Sequence, residues 1–67
     1  MIIKLTAKWV EKMLELPETG MGAQHVDIFM KSGAVIRDVT VFNAEECQTE
    51  EVFTPNEIED IRSAGGR

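Results

Sequence analysis

The sequence has no tyrosine, one tryptophan, one histidine, one cysteine and two prolines in 67 residues. A single cysteine, Cys47, closes no internal disulfide, which fits a reducing compartment. Its neighbour Glu46 disfavours the thiolate, so it reads as inert. His25 has Asp27 two residues on, but no second histidine or cysteine nearby. It therefore supplies neither a zinc-type ligand set nor a nucleophile–base pair. Gly20-Met21-Gly22 lacks the third glycine of a phosphate-cradling loop, and the glutamates near Cys47 lack calcium-loop spacing. No apolar run approaches the ~20 residues of a membrane span. Lys4 interrupts the opening Ile2-Ile3-Leu5, so the start does not read as a signal peptide. These scarcities lead us to expect a cytoplasmic protein with no cofactor, no metal, no membrane partner and no catalytic residues.

Cations are also few, seven against twelve acids, and unevenly placed. Residues 1–37 hold five cations and four acids; residues 38–67 hold two cations and eight acids, and so carry the whole excess of the net charge of −5. An acidic half repels phosphate backbones, which disfavours nucleic acid as a partner. It suits solubility or a basic protein partner, and Glu45, Glu46, Glu50 and Glu51 form the candidate acidic interaction face.

What is present is enough for one small α+β domain that is mostly β, with 43% apolar residues. A core this size is marginal without a staple, so homo-oligomerisation is an attractive way to bury more surface. Residues 1–5 read as a short strand or as the approach to a helix; adjacent isoleucines leave both open. Residues 6–16 read as a helix, with Thr6 as N-cap and Pro17 ending it, and with Trp9, Val10, Met13 and Leu14 in one apolar stripe. Residues 17–23 form the connecting loop, and Thr19, Gly20, Met21, Gly22 and Gln24 are the candidate binding-loop residues.

Residues 24–42 read as a hairpin turning at Ser32-Gly33. A two-residue loop sets Met30 opposite Val35, Ile28 opposite Arg37 and Val26 opposite Val39. It also opposes Asp27 to Asp38, a conflict that a bulge near Arg37-Asp38 or a three-residue loop removes. In this register Val39 and Val41 face the core, while Phe29, Ile36 and Phe42 need cover on the second face, from the helix or a partner subunit. A third strand is expected at about 47–53, at a sheet edge. Thr54-Pro55-Asn56-Glu57 is a helix-start signal for a single turn at 55–58, before a last strand at about 60–63 and a frayed tail at 64–67.

Met30-Lys31-Ser32-Gly33-Ala34-Val35, Val39-Thr40-Val41-Phe42-Asn43 and Glu57-Ile58-Glu59-Asp60-Ile61-Arg62 resemble, as a pattern, the small Sm-like β-barrels. The resemblance covers residues 6–63. It implies an N-terminal helix, then a small bent antiparallel sheet or barrel of Sm-like or Src-homology-3 type, with a short helical turn before the last strand. Asp38 stands about where that family has a glycine at the bend of its second strand. The family's basic and aromatic RNA-pocket residues are not recognisable after Phe42-Asn43. The chain also resembles small bacterial proteins with a helix–loop–hairpin layout. Leu16-Pro17-Glu18-Thr19-Gly20 looks like a sortase signal, but an alternating domain follows it in place of an apolar span and basic tail.

Three functions of different kinds remain. The first is a non-catalytic interaction module, binding protein or forming an oligomeric scaffold through a sheet edge or the acidic half. The second is Sm-like RNA binding. The third is a ubiquitin-like sulfur carrier, which Gly65-Gly66 resembles, although that family places strands before its helix and ends at Gly-Gly, where Arg67 follows here.

Overall fold

The computed structural model describes residues 1–16 and 22–64. In chain order the elements are β1 (Ile2–Lys4), α1 (Ala7–Glu15), β2 (Ala23–Met30), β3 (Val35–Phe42), β4 (Glu46–Gln48), a 3₁₀ turn (Pro55–Glu57) and β5 (Ile58–Ser63). The strands form one antiparallel sheet in the order β1-β4-β3-β2-β5. The sheet is open among the described residues, with β1 and β5 at its edges, so the barrel alternative is not realised there.

The helix forms where the apolar spacing places it. Thr6 is extended, and its carbonyl accepts from the amides of Trp9 and Val10. Its hydroxyl makes no capping bond. Leu16 returns to extended backbone just before Pro17. Trp9 and Met13, one turn apart, are buried, and Lys8 lies over the Trp9 ring at 4.8 Å. Leu14, expected in the same stripe, is 72% exposed. It sits about 100° round the helix from Met13, beyond the sheet's reach. The core joins Trp9 and Met13 to Val26, Ile28, Val39, Val41, Cys47, Ile58 and Ile61 of the sheet, with Leu5 and Phe53 closing its margins.

The β2–β3 hairpin resolves the Asp27–Asp38 conflict by both available routes. The loop has three residues, Lys31-Ser32-Gly33: the Met30 amide bonds the Ala34 carbonyl, and Gly33 adopts φ 99°. The extra residue shifts the register by one, so Ile28 pairs with Ile36 and Phe29 with Val35. Ile36 thereby turns toward the core and packs against it, instead of needing cover on the second face. A bulge then restores Val26 opposite Val39, leaving Arg37 and Asp38 both opposite Asp27. Phe29 stays on the outer face, where the Arg62 guanidinium covers it at 4.8 Å from the ring centroid. Phe42 remains 37% exposed.

The third strand is shorter than expected and lies elsewhere. β4 spans only Glu46–Gln48 and sits inside the sheet, because β1 pairs along its outer side through Ile2–Gln48, Ile3–Cys47 and Lys4–Glu46. The ladder ends when the Glu51 amide turns to the Thr49 hydroxyl at 3.0 Å. At Thr54-Pro55-Asn56-Glu57 the Glu57 carboxylate accepts from the Thr54 amide and hydroxyl, at 2.9 and 3.2 Å. β5 follows at once and runs longer than expected. Ala64, placed in the frayed tail, is buried, and its amide bonds the His25 carbonyl at 2.9 Å.

Candidate functional site

Of the candidate binding-loop residues, Thr19, Gly20 and Met21 lie outside the described residues. Gly22, at φ 77°, accepts at its carbonyl from the Asn43 amide. Gln24 is turned inward and buried. Its side-chain amide donates to the carbonyls of Met13 (2.8 Å) and Leu16 (3.1 Å). The last carbonyls of a helix fall outside its regular bonding; that of Met13 also accepts from the Leu16 amide at 3.1 Å, and Gln24 adds a donor to both from β2. Beside it is a half-open depression of about 520 Å³, lined by Met13, Leu14, Leu16, Gln24, Asn43 and Ala44.

The four glutamates form two pairs separated by β4. Glu45 and Glu46 stand at its start, where Glu45 meets Lys4 at 3.8 Å; Glu50 and Glu51 lie beyond its end. Around the bulge, the Asp27 carboxylate accepts from the Asp38 amide (2.9 Å) and the Arg37 guanidinium (3.2 Å), with only 9% of its side chain exposed. His25 does not reach Asp27. Its Nδ1 lies 3.5 Å from both the Thr40 hydroxyl and the Asp38 carboxylate. Cys47 is fully buried, and burial pushes its thiol up to about 11, so it stays protonated at neutral pH. Among the described residues, no three His, Cys, Asp or Glu side chains gather around a metal-sized space, and no helix is long and apolar enough to cross a membrane.

The two edge strands are unequal. In an antiparallel ladder, bonded and non-bonded pairs alternate. On β5 the Ala64–His25 bond sets the phase, so Ile61 and Ile58 direct their amides away from β2. Both are already occupied, the Ile61 amide by the Asp60 carboxylate at 2.9 Å and the Ile58 amide by the Pro55 carbonyl, while Ser63, opposite Val26 in the same phase, also directs its amide outward at the strand's end. Asp60 also meets Arg62 (2.9 Å) and Lys12 (3.6 Å), which holds its carboxyl below the usual range. Charge and internal bonds together blunt this edge.

β1 has no such protection. Bonds from the Leu5 amide to the Glu45 carbonyl (2.8 Å) and from the Thr49 amide to the Met1 carbonyl (3.0 Å) set the phase there. Ile3 therefore bonds Cys47, while Ile2 and Lys4 direct their amides and carbonyls outward. Ile2 is 60% exposed on this edge. Ile2 and Lys4 are absent from the sequence-derived candidates, although their alternation with Ile3 and Leu5 is the two-residue period of a strand with one wet face. No protein-family profile, curated protein or solved structure matches the chain.

Proposed function

We propose that the protein is a non-catalytic interaction module that captures an extended strand from a protein partner along β1. The observation that carries this reading is the contrast between the edges: β5 is blunted by Asp60, Arg62 and Lys12, whereas β1 offers the backbone of Ile2 and Lys4 beside an exposed isoleucine. An added strand gains main-chain hydrogen bonds, and the side chains of Ile2 and Lys4 select its sequence. The separated glutamates serve solubility better than they serve a single docking face.

Panning a displayed library of ten-residue peptides on the wild-type protein and on Lys4→Pro tests the reading. Proline removes one outward amide and leaves the inward bonds of Ile3 intact. Peptides retained by the wild type and lost from the Lys4→Pro variant support edge capture. Equal recovery on both overturns it.

A second reading, Sm-like RNA binding, is favoured by one observation. Asp38 adopts φ 57° about where the resembled family has its bend glycine. The net charge of −5 opposes it. Failure to retain uridine- or adenine-rich oligomers at low salt, where electrostatic binding is strongest, removes this reading.

A further inference from the structure

We infer that the strand β1 captures is β1 of a second copy, in antiparallel register about a two-fold axis beside Ile3. This rests on the edge reading above and names its partner. The outward backbone groups belong to Ile2 and Lys4, which flank Ile3 symmetrically. A two-fold axis at Ile3 sets Ile2 of each copy opposite Lys4 of the other. Both pairs then fall at bonded positions, and Ile3 meets its counterpart at a non-bonded one. The edge is self-complementary with no residue left over.

The side chains agree with that register. Ile2 and Lys4 lie on the outer face, on the rows of Gln48 and Glu46. The axis places each exposed Ile2 against the aliphatic stem of the other copy's Lys4, whose ammonium remains near its own Glu45 at 3.8 Å. No like charges stand opposite one another, whereas a parallel arrangement would set Lys4 beside Lys4. The alternative head-to-tail assembly needs β5 as the receiving edge, where the Ile61 and Ile58 amides are already held by the Asp60 carboxylate and the Pro55 carbonyl and Ser63 alone offers an outward amide, too few for a two-bond ladder. An isologous pair is the arrangement left, joining two five-stranded sheets into one. Three-residue strands bury little area, so the dimer belongs to the small, concentration-dependent class.

Light scattering on a sizing column over a wide concentration range, together with cross-linking, tests the pairing. The wild type should rise toward twice the monomer mass as concentration increases, and the Lys4→Pro variant should stay at one. An Ile2→Cys variant mixed with a Lys4→Cys variant under mild oxidation should cross-link, because bonded partners sit about 5.5 Å apart at Cα, within disulfide reach. Either variant alone should not. Circular dichroism of the Lys4→Pro variant matching the wild type establishes that its loss of dimer is not a loss of fold. A wild type that remains monomeric at every concentration overturns the inference; if the panned peptides still require a free Lys4 amide, the edge reading survives without it. A dimer that persists in the Lys4→Pro variant, or that cross-links through Ile2→Cys alone, also overturns it.

Discussion

Removing the Asp27 carboxylate should cost more stability than any exposed charge on this sheet. Asp27 holds the β2–β3 bulge together: one oxygen accepts the Asp38 amide at 2.9 Å, the other the Arg37 guanidinium at 3.2 Å. In Asp27→Ala the Asp38 amide is left half-buried without a partner, at a residue already held at φ 57°. An unsatisfied amide of this kind costs about 1–3 kcal/mol. Arg37 is 70% exposed, so its ion pair adds about 0–1 kcal/mol. The expected total is about 1–4 kcal/mol, read from urea unfolding followed by the fluorescence of Trp9. A double-mutant cycle with Arg37→Ala separates the two contributions, and a coupling of about 1 kcal/mol or less is expected. A loss below about 0.5 kcal/mol for Asp27→Ala would refute the reasoning. So would a coupling equal to the whole loss, because the bulge amide would then contribute nothing.

Three further expectations come from the same geometry. Asp38→Gly should be neutral or stabilising by up to about 1 kcal/mol, while Asp38→Val should destabilise by about 1–2 kcal/mol, because a branched residue tolerates positive φ poorly; thermal melts of the pair check the order. Gln24→Leu should cost about 1–3 kcal/mol by stripping the Leu16 carbonyl of its Gln24 donor and leaving that of Met13 with the Leu16 amide alone, with α1 amides exchanging faster than those of β2 and β3. The folded state disfavours the Cys47 thiolate, so that contribution is fully present below the unfolded pKa near 9 and lost as pH rises toward about 11. Stability should fall by about 2–3 kcal/mol across that window in the wild type and not in Cys47→Ala, as denaturant titration at each pH reports.

Much of the fold was legible because local chemistry and long-range packing agreed. The stripe through Trp9 and Met13, the stop at Pro17, the alternation after Gln24 and the Thr54–Glu57 start signal each lie where the same elements form. The clash of Asp27 with Asp38 pointed to the bulge, since two carboxylates cannot stand opposed. What resisted reading depends on pairing across the chain. Whether residues 1–5 were strand or helix approach was decided by β4, whose side they cover, and nothing local announces that contact. The same contact moved the third strand from the edge to the interior. Ile36 looked like an outer-face residue only under a two-residue loop; Gly33 at φ 99° makes the loop three residues long and turns Ile36 inward. Gln24, at the start of the hairpin, read as a candidate binding residue beside the loop because its polar side chain gives no hint of the helix carbonyls above it. The candidate site at Ile2 and Lys4 was hidden for the same reason as β1 itself.

Residue-resolved amide exchange, measured at low and at high protein concentration, tests the β1 edge most directly. We predict that at low concentration the Ile3 amide is protected while those of Ile2 and Lys4 exchange freely, and that all three are protected at high concentration. Ile2 and Lys4 amides that exchange equally fast at both concentrations, or an Ile3 amide as unprotected as its neighbours, would contradict the account.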